Sequence, residues 1–321
     1  MRTIAPYLSL ASSLLCFLIA LPATAQQQIT PLQPVTQQPL PQPLPQVAAP
    51  IPAQAPNGFA LNQLQNAMLD NVLNAWQLES AKVNTFKCSF ERWEYNAFSP
   101  KINNEVAPLN KCSGELSYNR PDKGSFQITQ VRTFKTTPPA AGDPPNAPMK
   151  GDWIEQPEAI GEHWVCNGKS IFEYRHHDKQ LVERPIPPEL QGQAIVDGPL
   201  PFLFGAEAAK LKVRYWMRIE DQQNQAEVWL TALPRFQAQA ADYSRVEVIL
   251  DRTKLLPKAM RVKMPDGSLH VYMFDIENAS VNNRLAIFAS LFQTPHLPLG
   301  WKRVVEQPPV AQAAQPTPAK K

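Results

Sequence analysis

Residues 163–174 read HWVCNGKSIFEY, two apolar-rich runs that flank Asn167-Gly168. An Asn-Gly pair between such runs predicts a β-hairpin, because both residues of a two-residue turn must tolerate a positive φ. Counting outward from this pair places Trp164 opposite Ile171 on one face of the hairpin. The other face then carries four large side chains: His163, Val165, Phe172 and Tyr174. Since both faces carry large apolar groups, we expect this hairpin to be covered on two sides or to line a hollow, which is typical of a binding fold.

The rest of the pattern is that of a mainly antiparallel β protein with few helices. Apolar residues at helical spacing predict a helix that carries Leu61, Leu64, Met68, Leu69, Val72 and Trp76. Extended, alternating runs predict strands over residues 86–95, 114–119, 125–134, 180–184, 213–220, 226–233, 245–250, 260–264 and 272–276. Residues 202–211 are apolar almost all round, so we expect an inserted helix that is buried or plugs an opening. The expected fold class is α+β, mainly β.

The chain divides into four predicted segments. Residues 1–25 combine one basic residue, a short apolar block and an A-x-A site, which predicts a cleaved secretory signal peptide rather than a membrane anchor. Residues 26–57 are rich in Gln and Pro and are predicted to be a disordered tether; residues 307–321 are predicted to be a disordered tail. Residues 58–306 are the predicted folded domain, interrupted by a Pro-rich loop at 136–148. We expect an exported protein that is not transmembrane after processing.

The composition argues against nucleic acid as a partner. The net charge is only +3 over 321 residues, with Lys and Arg scattered along the chain, whereas nucleic-acid binding calls for a clustered basic face. Apolar residues make up 44% of the chain, which is enough for one substantial core.

Three cysteines follow the predicted signal peptide: Cys88, Cys112 and Cys166. Cys88 and Cys112 lie on neighbouring predicted strands, about equally far from the turn near Pro100, so they could form a disulfide in an oxidising compartment. Two unpaired buried thiols are the alternative, and the sequence leaves it open. We expect Cys166, beside the hairpin turn, to serve packing.

Motifs that suggest catalysis fail on spacing. Gly168-Lys169-Ser170 resembles the end of a phosphate loop, but His163 stands where that loop needs glycine, and a strand is predicted where it needs a helix. His176 and His177 are adjacent, so in a strand they point to opposite faces and do not form a metal site. The chain shows no nucleophile elbow. We expect no enzymatic activity, no cofactor and no metal.

Arg120 ends a predicted strand just before Pro121, so its side chain could reach across the mouth of the sheet. From spacing alone, a turn arginine paired with a carboxylate is the favoured interpretation.

Four short segments resemble, in order and spacing, the LolA-like family of periplasmic lipoprotein carriers, especially the LolA-like domains of planctomycetes. They are GELSYNRP at 114–121, VCNGKSIFEY at 165–174, DGPLPFLF at 197–204 and TPHLPLGW at 294–301. Asn167 replaces the usual Asp of the family's Asp-Gly-Lys hairpin. The resemblance covers about residues 60–305 and is weak in identity, and the tether, the Pro-rich loop and the candidate disulfide are departures from the carriers.

The resemblance implies an unclosed antiparallel β-barrel in which helices cap a hydrophobic cavity for acyl chains. Arg120 matches the arginine that helps to hold the lid of such carriers shut. The ligand-binding residues expected on this basis are Arg120, Trp164, Phe202, Leu203, Phe204, Met260 and Met264, with Met217 and Met273 as further adaptable side chains.

The expected function is that of a monomeric periplasmic carrier or binder of lipid or lipoprotein acyl chains. The alternative is an envelope sensor or adaptor that uses the same barrel to bind a lipoprotein or a protein partner, such as an envelope membrane protein.

Overall fold

The structure, a computed structural model, describes residues 54–102, 105–137, 150–159, 161–188, 191–192, 202–203, 207–221, 224–283 and 291–306. The predicted signal peptide and tail, almost all of the predicted tether, most of the Pro-rich loop and Phe204 lie outside the described residues. Within the described ranges, no helix is both long enough and apolar enough to span a membrane.

The described elements are three helices and sixteen strands. The helices are α1 (Gln63–Ala81), α2 (Ala208–Arg214) and α3 (Gln237–Asp242). The strands are β1 (Thr85–Tyr95), β2 (Lys101–Ile102), β3 (Glu105–Val106), β4 (Asn110–Asn119), β5 (Lys123–Thr137), β6 (Lys150–Glu155), β7 (His163–Asn167), β8 (Ser170–Arg175), β9 (Gln180–Pro185), β10 (Tyr215–Ile219), β11 (Glu227–Pro234), β12 (Arg245–Asp251), β13 (Pro257–Lys263), β14 (Leu269–Phe274), β15 (Ser280–Val281) and β16 (Lys302–Val305).

Fourteen strands form one large sheet in the order β10-β11-β12-β13-β14-β1-β4-β5-β7-β8-β9-β16, with β15 beside β1 and β6 beside β5. The pairs are antiparallel except for β16, which runs parallel to β9. In the described part of the chain, the end strands β10 and β16 do not pair with each other, so the sheet is unclosed. The expected mainly antiparallel, unclosed architecture is confirmed.

Alternation along the strands gives the sheet one apolar face. In β1, Phe86, Cys88 and Phe90 are buried, whereas Ser89 and Glu91 at the alternate positions are exposed. Residues from β1, β4, β5 and β10–β14 join α1 and α2 in a single core cluster. The sheet therefore curves around the helices, and we call its inner surface the concave face.

Helix α1 begins with a capping box, in which Asn62 accepts a hydrogen bond from the backbone N–H of Gln65, and the Gln65 side chain accepts from the backbone N–H of Asn62. The predicted helix is confirmed, but its predicted apolar face is only partly right. The residues buried against the sheet are Leu69, Leu73 and Trp76, while Leu64 and Met68 are 70% and 52% exposed. Leu64 and Met68 lie about 180° and about 140° around the helix from Leu73, on a side that the sheet does not reach.

The hairpin of residues 163–174 forms, but its register differs from the prediction. Trp164 lies opposite Glu173, and Ile171 lies opposite Cys166. The Asn167 carboxamide oxygen accepts hydrogen bonds from the N–H groups of Lys169 and Ser170. Asn167 thus precedes the two central turn residues, of which Gly168 is the first and has a φ of +87°, as a type II′ turn requires.

The predicted division of this hairpin into two faces survives the register shift. Val165 lies opposite Phe172, and the His163 ring stacks on Tyr174. Trp301 packs against Tyr174, with ring centroids 6.0 Å apart, while Trp164 on the opposite face stacks on Phe126. The expectation that the hairpin is covered on two sides is confirmed.

The candidate disulfide between Cys88 and Cys112 does not form in the structure. Cys88 and Cys112 are free thiols in the structure. The β1–β4 register places Cys88 opposite Leu116 and Cys112 opposite Arg92, because the pairing is symmetric about Ile102 rather than Pro100. Four strand positions span roughly 13 Å, which is beyond the reach of about 7 Å between the Cα atoms of a disulfide.

The inserted apolar helix is shorter than predicted. Phe202 and Leu203 form a single turn, and α2 begins only at Ala208 and ends at Arg214, where a strand was expected. Ala208 and Leu211 are buried, whereas Val213 is 64% exposed. The sequence analysis also missed β6 and β16, which attach at the margins of the sheet and carry little apolar alternation.

Candidate functional site

The concave face is lined by a group of contacting aromatic rings. Phe90 stacks on Phe126 with ring centroids 4.7 Å apart, and Phe126 stacks on Trp164 at 5.8 Å. Tyr272 lies 6.1 Å from Phe90 and is stacked on Phe274 at 6.1 Å. We call these five residues the aromatic row. Such rings bury large apolar areas, so the row suits an apolar ligand.

The apolar core continues from the aromatic row to the residues that cover it. Phe202 is fully buried and packs on the ring of Tyr215, with centroids 4.9 Å apart. Leu203 is 6% exposed and belongs to the same core cluster. We call α1, α2 and the Phe202–Leu203 turn the cover. The structure thus places Trp164, Phe202 and Leu203 of the predicted ligand-binding set in or against one apolar cluster.

Polar contacts hold the cover together and bind it to the rim of the sheet. The Asp70 carboxylate and the Lys212 ammonium, 2.5 Å apart, join α1 to α2, as does Gln77, whose carboxamide oxygen accepts from the N–H of Ala208 at 2.8 Å. The Asn282 side chain donates to the carbonyl of Lys82 at 2.8 Å.

Arg120 is an exposed residue that follows β4, and its guanidinium donates a hydrogen bond to the carbonyl of Ala81. Ala81 is the last residue of α1, where carbonyl groups lack a partner within the helix and a basic side chain is favourable. The sequence spacing favoured a carboxylate partner for Arg120, but the partner in this hydrogen bond is a backbone carbonyl group. Arg120 instead attaches the C-terminal end of the cover to the sheet.

The methionines divide between the two faces of the sheet. Met260 and Met217 are 1% and 5% exposed within the core cluster, and Met264 is partly buried against it. Met273 is 45% exposed, because it alternates with Tyr272 and Phe274, which face the core. The suggestion that Met273 contributes to an internal site is therefore wrong.

A charged cluster follows the aromatic row on the concave face. Two residues beyond Phe90, Arg92 occupies the next inward position of β1 and is only 7% exposed. Its guanidinium lies 2.6 Å from a carboxylate oxygen of Glu94 and 2.8 Å from one of Glu162. His270 is paired with Glu94 across the β1–β14 register. We call these four residues the Arg92 cluster.

The β-sheet register explains why these side chains meet. Arg92 lies between Tyr272 on β14 and Cys112 on β4, and Glu94 lies between His270 and Asn110. Asn110 donates a hydrogen bond to the Glu94 carboxylate at 3.0 Å. Two neighbouring rows of residues across three strands therefore build the floor of the cluster.

Glu162 lies in the connection that precedes β7 and reaches the cluster from there. Its carbonyl accepts a hydrogen bond from the N–H of Ile128 at 2.8 Å, which fixes this connection against β5. Gly161 permits the close approach, because a Cβ atom there would lie 2.2 Å from Cγ2 of Ile128. The Glu162 side chain is 47% exposed, so it opens the cluster to solvent.

The environment fixes the charges of the cluster. Burial opposes the charge of Arg92, but Tyr272, Glu94 and Glu162 outweigh it and raise the pKa of Arg92. Burial tends to raise the pKa of Glu94, yet Arg92 and the hydrogen bond from Asn110 lower it overall. Burial and the Arg92 charge lower the pKa of His270, which is therefore neutral at pH 7. The four residues together carry one excess negative charge.

Sequence reasoning missed this cluster, although a signal was present. Phe86, Cys88 and Phe90 predict that the next alternating positions, Arg92 and Glu94, also face inward, where a charged residue is unusual. His270 carried a similar signal, because it stands two residues before Tyr272 in an alternating run, whereas Glu162 lies in a connection and carried none.

The described residues contain no group of three or more His, Cys, Asp or Glu side chains arranged to hold a metal ion. Burial raises the pKa of the Cys88 thiol to about 12 and that of Cys112 to about 11, which keeps both thiols protonated and poorly nucleophilic.

No family model matches this sequence, and no curated protein does. Solved structures are similar to it at low identity. An uncharacterized conserved protein from Thermus thermophilus is 10% identical, with a TM-score of 0.38, and the match covers 75% of this chain and 100% of that one. The MucA/MucB complex of Pseudomonas aeruginosa matches at 13% identity and a TM-score of 0.31, covering 71% of this chain and 61% of that chain.

Two further matches are named for the LolA superfamily or for lipoprotein sorting. A LolA superfamily protein from Nitrosomonas europaea is 7% identical, with a TM-score of 0.31, over 69% of this chain and 97% of that one. A putative outer membrane lipoprotein-sorting protein domain from Vibrio parahaemolyticus is 10% identical, with a TM-score of 0.28, over 68% and 94%. A LolA superfamily protein is thus among the solved structures to which this chain is similar.

Proposed function

We propose that this protein is an exported, periplasmic carrier that binds an acyl chain of a lipid or lipoprotein on the concave face of its sheet. The observation that carries the proposal is the continuity of apolar surface from the aromatic row to Phe202 and Leu203. The residues that cover this surface are joined to the rim of the sheet through polar groups such as Arg120, which is exposed. Contacts of this kind can break and re-form in water without a large loss of free energy.

The free energies of transfer from water favour a ligand that displaces part of the cover. One long acyl chain gains on the order of 10 kcal/mol when it leaves water, at about 0.8 kcal/mol per methylene. Releasing Phe202 and Leu203 costs about 3 kcal/mol or less for each side chain. An acyl chain that displaces these two residues therefore offsets their exposure, and no catalytic group is needed.

The proposed ligand-binding residues of the concave face are Trp164, Met260 and Met264. Phe202, Leu203 and Phe204 are proposed to move aside for the ligand, with Arg120 holding the cover closed. The proposed mode of action needs no cofactor and no second subunit. Release of the ligand requires the cover to open and close, a shift between two states that a partner or membrane could bias.

A second candidate function, that of an envelope adaptor, is favoured by the outer side of α1. Leu64, Met68 and Leu78 are 70%, 52% and 64% exposed and lie along one side of the helix. Beside them is a groove of about 480 Å³ between α1 and the β10–β11 hairpin, lined in part by Leu61, Ile219 and Trp229. An adaptor would bind a protein partner here and need no internal ligand.

Native mass spectrometry of protein purified from its own host tests both functions. A carrier yields a stoichiometric lipid adduct that delipidation removes and that a fluorescent fatty acid replaces. An adaptor instead yields a protein complex that Met68→Glu dissociates. Protein that carries no lipid and binds no acyl probe after delipidation contradicts the carrier function.

A further inference from the structure

We propose that the Arg92 cluster is a subsite for the polar end of the bound amphiphile and that it selects a zwitterionic headgroup with a primary ammonium beside a phosphate. This inference rests on the proposed acyl-binding function and adds the class of headgroup to it. It stands on the position, the charge and the unfilled hydrogen-bonding capacity of the cluster.

The position places the cluster at the end of the apolar surface. Arg92 follows Phe90 on the same face of β1, about 7 Å further along the strand. Its guanidinium lies 5.8 Å from the centroid of Tyr272, the aromatic residue next to it. An acyl chain along the aromatic row therefore brings its polar end to Arg92. Glu162, which is 47% exposed, gives that end access to solvent.

The charge of the cluster favours a cation. One guanidinium faces two carboxylates, Glu94 at 2.6 Å and Glu162 at 2.8 Å, and His270 is neutral. Of the two carboxylates, Glu94 is already held by Asn110 as well as by Arg92. The excess negative charge is therefore most available at Glu162, whose Oε2 accepts from Arg92. Its Oε1 has no hydrogen-bond partner among the described residues and can accept from a ligand ammonium.

The hydrogen-bonding capacity of Arg92 favours an oxygen acceptor beside that cation. The Nε of Arg92 is buried and makes no hydrogen bond within the described part of the chain. A buried donor without a partner is unfavourable, and a ligand oxygen would satisfy it. Because the Arg92 guanidinium contacts the Glu162 carboxylate directly, a ligand that binds both residues needs an ammonium and an oxygen acceptor joined by a short link, as in a phosphoethanolamine headgroup.

A purely structural ion pair explains the cluster less well. Pairing Arg92 with Glu94 alone would neutralise the buried charge, whereas the added Glu162 leaves a net negative site at the edge of an apolar surface. The same excess charge disfavours an anionic headgroup, because it adds repulsion without a new cation.

Binding of three probes with the same acyl chain tests the inference in the delipidated full-length protein. They are lysophosphatidylethanolamine, lysophosphatidylglycerol and monoacylglycerol, each used below its critical micelle concentration. We expect the ethanolamine probe to bind at least about tenfold more tightly than the phosphoglycerol probe. This ratio corresponds to the free energy of about one charge-assisted hydrogen bond. Monoacylglycerol should fall between them.

Variants of Glu162 test whether the Arg92 cluster causes the preference for the ethanolamine probe. Because Glu162 is partly exposed, Glu162→Gln should fold normally, keep its affinity for monoacylglycerol and reduce the preference to within about twofold. Glu162→Lys should reverse it in favour of the phosphoglycerol probe. The matched control is Glu158→Gln, an exposed carboxylate in the same connection, which should retain the wild-type preference.

The outcomes distinguish failure of the headgroup subsite from failure of the proposed acyl-binding function. Equal binding of the three probes by the wild type, or an unchanged preference in Glu162→Gln, overturns the headgroup subsite and leaves acyl binding intact. Failure of every probe to bind overturns the acyl-binding function itself. Circular dichroism and thermal melting of each variant confirm that the comparison is made on folded protein.

Discussion

The imidazole of His163 lies flat against the phenol ring of Tyr174, with ring centroids 4.1 Å apart and planes 2° from parallel. His176 and Trp301 complete the group, and their rings are 5.0 Å apart in an edge-to-face arrangement. This cluster fastens the C-terminal segment onto the outer face of the β7–β8 hairpin. It also partly buries the ionisable side chain of His163, which makes the stability of the fold depend on pH.

We expect the free energy of unfolding to fall as the pH drops from about 6.5 to about 4. Burial, followed by the proximity of His176, lowers the pKa of His163 from 6.5 to about 4. The unfolded chain therefore binds more protons than the folded chain in this window, so acidification favours unfolding. The lowered pKa values of His176 and His270 act in the same direction.

Thermal melting between pH 7 and pH 5 measures this effect. His163→Phe should keep the stacking on Tyr174 and show a smaller decrease in Tm, because it removes one titrating group. His177→Phe is the control, since the His177 side chain is fully exposed, and it should melt like the wild type. An identical pH dependence in wild type and His163→Phe would contradict the prediction.

Arg120→Leu should loosen the C-terminal end of α1 without changing the fold. The substitution removes the donor to the carbonyl of Ala81 and should lower the free energy of unfolding by about 1 kcal/mol. Stopped-flow release of a fluorescent fatty acid should become faster, because the cover then has one attachment fewer.

Arg120→Lys retains a cationic donor and should recover part of the slow release. Lys135→Leu, an exposed position on β5, controls for the loss of one surface charge. Release kinetics that are the same in Arg120→Leu and wild type would return Arg120 to a purely structural role.

Asn167→Ala should destabilise the protein by about 1–2 kcal/mol, because its side chain accepts hydrogen bonds from Lys169 and Ser170 in the hairpin turn. Asn167→Asp keeps the acceptor oxygen and should cost less. The Asn167 amide also donates to the hydroxyl of Thr294 at 3.1 Å, and Thr294→Ala isolates that contribution. Urea unfolding compares the three variants, and equal stability of Asn167→Ala and wild type would exclude the proposed turn.

The cysteines should remain unpaired and unreactive in the folded protein. Cys88, Cys112 and Cys166 are buried, and burial raises the pKa of each thiol. Iodoacetamide at pH 8 should therefore modify them only after denaturation. Peptide mass spectrometry without reduction provides the measurement. A crosslinked peptide that contains Cys88 and Cys112 would contradict the β1–β4 register.

Local pattern was enough to predict most of the strands and the faces of the central hairpin. Phe86, Cys88 and Phe90 alternate with polar residues, and this period of two specifies both a strand and its buried side. The faces of the hairpin were also right, although the pairing was wrong by two residues. A shift of two positions preserves the face of each side chain, whereas the choice between Asn167 and Gly168 as first turn residue depends on hydrogen bonds.

The sequence by itself determined the kind of elements and the apolar character of their inner face, since both follow from residue periodicity. Only the tertiary structure decided that Arg92, Glu94, Glu162 and His270 meet. Their positions come from two strands that are distant in sequence and a separate connection, and strand pairing depends on the packing of the whole sheet around α1. For the same reason, the partner of Arg120 became apparent only once the end of α1 was placed beside β4.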